Sequence, residues 1–317
     1  MTHDHEHHHH SHEHGHHRHH GHSHAPASFG RAFAIGTALN LGFVIVEATY
    51  GYLGHSLALF ADAGHNLGDV LGLVLAWGAS ALARRPPTKR YTYGLRGSSI
   101  LAALVNAVVL LLSMGAIAWE AIRRFKDPGS VSGGTVIGVA VVGIIINTVT
   151  ALMFMSGQKG DLNIRGAFMH MAADALVSFG VVLAGIAILV THWLWLDPVV
   201  SLVLVAVVVV GTWQLLRNSV SLALDAVPAG IEPLAVQTYL AERPGVSRVH
   251  DLHIWAMSTT ETALTVHLVM PTGYPGDAFL CEVCKELQDH FGINHSTLQV
   301  ETGDWEHPCA LEPDHVV

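Results

Sequence analysis

Charge is scarce in this chain. Only 13% of its 317 residues are Asp, Glu, Lys or Arg, about half the share of an ordinary soluble domain, while 50% are apolar. That balance argues against a protein that lies wholly in water. Cysteine is scarcer: Cys281, Cys284 and Cys309 are the only three, and all fall after residue 280. They do not make a disulfide framework and suit a reducing compartment. Basic residues are outnumbered, 16 against 25 acidic ones, for a formal charge of −9, which argues against nucleic acid as a partner. No basic stub followed by an apolar run opens the chain, so a cleaved signal peptide is not expected and the first apolar run would act as its own insertion signal.

Histidine and long apolar runs are what the chain has instead. Fourteen of its 25 histidines lie within residues 1–24, interleaved with Asp, Glu, Ser and Gly. With no apolar residue after Met1 this segment cannot build a core, so 1–28 is expected to be a disordered tail. Its mixed spacing is unlike an expression tag and suits a tethered metal buffer. Six runs approach or exceed the roughly 20 apolar residues that span a bilayer: Phe29–Leu53, Ser56–Leu82, Ser98–Ile122, Gly134–Ser156, Gly166–Val190 and Pro198–Val220. They predict a six-helix membrane domain over 29–224. Lys and Arg gather after the second and fourth runs (Arg84, Arg85, Lys89, Arg90, Arg96; Lys159, Arg165), with Arg31 at the start of the first and Arg217 at the end of the sixth. This bias places both termini in the cytoplasm. Arg123, Arg124 and Lys126, after the third run, disagree.

Beyond Asp225-Ala-Val-Pro228 the pattern becomes that of a soluble α+β domain over 225–305, followed by a tail, 306–317. Ile231–Glu242 and Asp277–Phe291 read as helices. Val246–Ala256, Thr262–Met270 and Ser296–Thr302 read as strands, the second with Leu264, Val266 and Leu268 alternating against Thr265, His267 and Val269. The order αββαβ predicts a small ferredoxin-like layer pair, helices on one side of a sheet.

The chemistry sits in two motifs. His65-x-x-x-Asp69 lies in the second run and His170-x-x-x-Asp174 in the fifth. A four-residue gap puts imidazole and carboxylate one turn apart on a single helix face. Carboxylates in hydrocarbon need compensation, and the runs carry no Lys or Arg apart from Arg31 and Arg217 near their ends, neither placed to pair with them; a divalent cation, or protons, must supply it. Two His and two Asp form a four-ligand N/O set that suits tetrahedral Zn²⁺, with Co²⁺ or Ni²⁺ as alternatives. Ligation needs neutral His and ionised Asp, so metal binding and proton release are linked. Asn40, Glu47, Asn106 and Asn147 also lie in the runs, as path-lining groups or as helix–helix hydrogen bonders. In the soluble domain His250, His253, His267, His295 and Glu301 lie in or beside strands, and a metal site there and chance clustering both remain open. Cys281-x-x-Cys284 has no partner pair; packed thiols or a loose metal contact both fit it. Cys309 and His315 near the end could also ligate.

These residues resemble the cation diffusion facilitator family of zinc transporters. The resemblance runs over nearly the whole chain after residue 28. It is carried by Ser56–Asp69, Tyr93-Gly-Leu-Arg96 with Ile100–Ala103, Leu162-Asn-Ile-Arg165 running to His170 and Asp174, and Asp197-Pro198. Leu224–Pro228, His250-Asp-Leu-His-Ile-Trp255 and His295–Glu301 extend it. It implies six spans, cytoplasmic termini, a homodimer and metal–proton antiport through His65, Asp69, His170 and Asp174, with His65 marking the zinc-preferring branch. It also implies a regulatory zinc site on His250, His267 and Glu301, with His295 as a further candidate. Two features depart from the family: the Arg84–Arg96 loop has neither Asp nor His, so no metal site is expected there, and Ser98 and Ser99 stand where some members carry an acid. The expectation is zinc efflux across a bacterial plasma membrane, not enzyme catalysis. Cobalt, nickel or cadmium efflux is the nearest alternative. An intramembrane metal hydrolase would need an open coordination position and a general base. A sensor anchored by its spans would have no use for paired buried motifs.

Overall fold

The structure is a computed structural model and describes residues 31–126, 131–155, 162–304, 306 and 309–311. The His-rich tail, Lys159 and His315 lie outside the described residues. The first part of the chain is a bundle of helices α1 (Arg31–Leu53), α2 (Leu57–Ala83), α3 (Ser98–Arg124), α4 (Gly133–Met155), α5 (Leu162–Thr191) and α6 (Leu196–Ala223). Among the described residues five stretches, Leu57–Ala83, Ser98–Arg124, Gly133–Leu152, Met171–Thr191 and Leu196–Ala223, are long and apolar enough to cross a membrane. Helix α5 begins four residues before the expected start, because Gly166 is carried inside a helix rather than ending it.

The bundle turns large apolar side chains outward and polar ones inward. Leu112, Leu176 and Val210 are exposed, while Glu47, Asp62, Asn66, Asn147, Asp174, Ser178 and Asp197 are buried. That is the arrangement a hydrocarbon solvent selects. Glycines let α4 and α5 approach closely: a Cβ on Gly133 would stand 3.1 Å from the Gly185 carbonyl oxygen.

Helix α2 is held at its start by α6. The Asp197 carboxylate accepts hydrogen bonds from the Ser56 hydroxyl (2.5 Å) and from the backbone N–H groups of Leu57 (2.8 Å) and Ala58 (3.2 Å). An anion at a helix N-terminus meets both the unsatisfied donors and the positive end of the helix dipole. Arg124 at the end of α3 lies 3.9 Å from the same carboxylate and donates to the His55 carbonyl. One of the three charges that disagreed with the loop bias therefore ties α3 to the start of α2.

The second part holds α7 (Pro233–Ala241), β1 (Arg248–Ala256), β2 (Thr262–Val269), α8 (Asp277–Phe291) and β3 (Ile293–Glu301). The sheet order is β1-β2-β3, antiparallel between β1 and β2 and parallel between β2 and β3. Helix α8 is the crossover a parallel pair needs, and it stops at Gly292, whose φ of 70° suits a left-handed cap. Val236 and Leu240 of α7 and Val283 and Leu287 of α8 pack on Leu264, Val266 and Leu268. Each such burial stabilises by about 2 kcal/mol. Strand β2 is buried on both faces apart from a half-buried Thr265, not on one as its alternation predicts. Residues 309–311 fold back over the second face, where the Leu311 carbonyl lies 3.3 Å from His250 Nδ1.

The turn between β1 and β2 touches the bundle. Arg96 donates to Glu261 at 2.7 Å, the Thr259 N–H donates to the Ser99 hydroxyl at 3.0 Å, and the Tyr93 and His295 rings meet edge-on at 5.6 Å.

Asp197→Ala strands buried donors at the start of α2, each costing about 1–3 kcal/mol. The expected outcome is a lower thermal midpoint of the detergent-solubilised protein, by at least about 2 kcal/mol in stability. An unchanged midpoint would mean that the cap contributes nothing.

Candidate metal centres

The first centre lies between α2 and α5. Helix α2 presents His65 and Asp69 one turn apart, and α5 brings Asp174 across to them. His65 Nε2 stands 3.3 Å from an Asp174 oxygen and 3.7 Å from an Asp69 oxygen. Donor atoms of the three residues all lie within 4.8 Å of one another. Asp174 is buried, whereas the side chains of His65 and Asp69 keep 24% and 29% of their surface, so the group is open on the α2 side. His170 lies on α5 one turn before Asp174, and its side chain is outside the described residues. A protonated imidazole balances one of the two carboxylates; a divalent cation balances both and leaves His65 neutral to ligate.

Two further buried carboxylates stand nearby. Glu47 of α1 accepts a hydrogen bond from Asn66 at 3.0 Å, and Asp62 of α2 accepts one from Ser178 at 3.4 Å. The sequence reading did not single out Asp62 as a buried charge, although it lies three residues before His65 on the same helix. Asn40 donates to the Met171 sulfur at 3.4 Å, so Asn40 and Glu47 both act as helix–helix hydrogen bonders here.

The second centre is built on the open face of the sheet. His250 and His267 are directly paired across β1 and β2, and their rings meet edge-on at 5.0 Å. Glu301 at the end of β3 lies 3.1 Å from His250 Nε2 and 2.8 Å from His267 Nδ1. Cys309 adds a sulfur 3.6 Å from His267 Nδ1. These four offer ligand atoms that all lie within 4.8 Å of one another, an N₂OS set of the kind zinc takes. Burial pushes the Glu301 carboxyl up, but hydrogen bonds with Cys309, His250 and Gln299 outweigh it and hold it below the usual range. A backbone hydrogen bond at Leu311 favours the Cys309 thiolate, but burial and the Glu301 and Asp251 carboxylates push the thiol up. A cation between them would reverse that push.

Asp251 explains how β1 delivers two histidines to one face. Positions three apart in a strand normally face opposite ways. Here the register shifts between His250 and His253, and Asp251 takes a φ of 50°. The bulge turns both rings to the same side. The Asp251 carboxylate then reaches His253 Nε2 at 2.9 Å and His267 Nε2 at 3.4 Å. The string His250-Asp-Leu-His253 carries this signal, which a reading of strand alternation passes over. His295 is not brought to the cluster: it sits at the other end of β3, about 20 Å along the strand from Glu301, against Tyr93. Cys281 is exposed on α8 and Cys284 half-buried there, its thiol pushed up by burial; neither joins either centre.

A bundle with a charged cluster between two of its helices, followed by a metal-ligand sheet domain, defines a membrane transporter of cations. Residues 33–222 match the model of the cation efflux transmembrane domain, and residues 228–303 that of the cation efflux protein cytoplasmic domain. The chain belongs to the cation diffusion facilitator family. It is 37% identical over 288 residues to the metal cation efflux system protein CzcD of Cupriavidus metallidurans, covering 90% of this chain and 91% of that one. It is 36% identical over 265 residues to the zinc transporter ZitB of Escherichia coli, covering 83% and 84%. To the cadmium, cobalt and zinc/H(+)-K(+) antiporter of Bacillus subtilis it is 34% identical over 275 residues, covering 85% and 88%. A solved structure of the metal-bound C-terminal domain of the CzcD transporter matches 22% of this chain and 99% of its own at 38% identity, with a TM-score of 0.21. The protein is a divalent-metal efflux transporter and not an enzyme.

In the full-length protein carrying Asp174→Ala, so that the bundle site is impaired, Glu301→Gln and Cys309→Ser are each expected to weaken zinc binding at the sheet roughly tenfold or more, equivalent to about 1.4 kcal/mol or more. Competition with a chelating dye measures this. Wild-type affinity in both would remove these residues from the site.

Proposed function

We propose that the chain exports zinc from the cytoplasm in exchange for protons, with His65, Asp69, His170 and Asp174 as the transport site. The observation that carries this reading is the convergence of His65, Asp69 and Asp174 between two membrane helices, with donor atoms all within 4.8 Å. Zinc fits the mixed imidazole and carboxylate donors, and ligand deprotonation supplies the coupling to protons. All six helices α1–α6 span the bilayer in this reading, with both termini in the cytoplasm of a bacterial cell. The αββαβ domain is ferredoxin-like and holds a regulatory zinc ion on His250, His267, Glu301 and Cys309. The protein works as a homodimer. The relatives named as zinc, cadmium and cobalt transporters support the substrate class.

Asp69→Ala or Asp174→Ala in proteoliposomes is expected to abolish zinc uptake while the protein stays folded and inserted, since each removes a ligand and a negative charge. Collapsing an imposed pH gradient is expected to slow the wild type. Near-normal uptake by either mutant would sink the site, and indifference to the pH gradient would sink the antiport.

His65→Asp exchanges an imidazole for an oxygen donor and is expected to shift preference from zinc toward harder ions such as Mn²⁺. Mixed-metal competition reads it. An unchanged preference would show that His65 does not ligate the transported ion.

A further inference from the structure

Asn147 of α4 is completely buried, and among the described residues neither its amide oxygen nor its amide nitrogen has a hydrogen-bond partner. A buried donor or acceptor left unmet costs about 1–3 kcal/mol, and this side chain leaves one of each. Asn40 and Glu47 found partners on neighbouring helices; Asn147 did not. An apolar side chain of similar size would carry no such cost, so the carboxamide calls for a partner, such as a water or a ligand, beyond the described side chains.

The packing of α4 on α5 identifies its position. The two helices run antiparallel. A Cβ on Gly133 would stand 2.8 Å from the Leu189 side chain, one on Gly185 would stand 3.3 Å from that of Val136, and one on Gly143 would stand 3.1 Å from the Ser178 hydroxyl. Each step forward on α4 is therefore matched by a step back on α5. Asn147 lies one turn past Gly143, and Asp174 lies one turn before Ser178, so the two are level across the interface. Both belong to the buried stripes by which these helices face each other: Val136, Ala140, Gly143 and Asn147 on α4, and Asp174, Ser178 and Val181 on α5.

We propose that Asn147 is a further residue of the transport site, and that its carboxamide binds the hydrated divalent cation beside Asp174. The inference rests on Asp174 being part of that site. A cation arrives with water and must exchange it for protein ligands. The amide oxygen accepts from a metal-bound water, and the amide N–H donates to a second water or to a site oxygen; such bridged contacts are nearly as favourable as direct ones. The carboxamide is neutral, so it holds a partly dehydrated ion without adding charge that would hinder release.

The test compares Asn147→Leu with the wild type in proteoliposomes and in detergent. The expected result is a thermal midpoint equal to or above wild type, because an unsatisfied polar group is removed, together with a roughly tenfold higher zinc concentration for half-maximal transport. Cadmium and cobalt competition is expected to change as well. A purely structural asparagine would move neither kinetic readout. If Asn147→Leu does not insert, Asn147→Ala, which adds no bulk, is expected to show the same rise in half-saturation. Wild-type half-saturation and metal preference in an inserted Leu or Ala variant overturn the proposal. Asp174→Ala, run alongside, separates the two readings. If it is inactive while Asn147→Leu is normal, only the role of Asn147 fails; if it transports normally, the site itself fails.

Discussion

Asp174 is buried to within 3% of its surface inside a bundle whose outer face is made for hydrocarbon. Around it stand Asp69, Asp62 and Glu47, with His65 as the group placed to counter two of these carboxylates. Isolated charges of this kind cost several kcal/mol each to bury, and breaking up a buried ionic group is worse than never forming it. The bundle must therefore hold the donors at fixed distances and leave room for a positive charge that the protein itself supplies only in part. Much of the rest follows from that requirement. Helix α2, which carries Asp62, His65 and Asp69, is anchored at its first turn by a carboxylate from α6. Helix α5, which carries Asp174, is pressed against α4 where glycines remove the side chains that would separate them.

The soluble domain solves a related problem with other means. A sheet has no hydrocarbon around it, so its donors are sheltered by the chain's own C-terminal segment. The bulge at Asp251 is the local device: without it, His250 and His253 would lie on opposite faces, and the carboxylate between them would not reach His267. The same hairpin that carries these ligands ends in the turn that holds Arg96 and Ser99. That turn meets the bundle at the junction of α2 and α3, so the strands of the second centre and the helix of the first are joined by a direct contact as well as by the covalent path through α6.

Much of this was legible in the sequence because membrane helices and paired motifs leave strong patterns. Run lengths located the six helices to within a few residues, and the spacing of His65 and Asp69 put both on the side of α2 that meets Asp174. What stayed hidden depends on contacts between elements far apart in sequence. Asp197 reads only as part of an Asp-Pro pair that resembles the family, yet its carboxylate caps a helix that starts 140 residues earlier. Arg124 reads as a charge on the wrong side of the membrane, yet it bridges α3 and the start of α2. His295 reads as a ligand because strand residues near other histidines invite that reading, but parallel pairing of β3 with β2 carries it to the far end of the sheet. Cys309 reads as a residue in a tail; only the fold-back over β2 makes it a neighbour of His267. In each case local pattern gives the residue type and tertiary packing decides the use.

Under the proposed function, the two centres differ in ways that match what each would do with an ion. A carrier's site has to release its cargo, so binding must be favourable enough to load and weak enough to empty. The cluster between α2 and α5 has hard carboxylate oxygens, partly exposed donors and a histidine that a proton can claim, and all three make release possible. The sheet cluster has a sulfur donor, two histidines with little exposure and a carboxylate held ionised by its neighbours, and those features favour retention. In that reading, donor softness, exposure and proton competition separate a site for passage from one for occupancy, within one chain and with imidazole and carboxylate common to both.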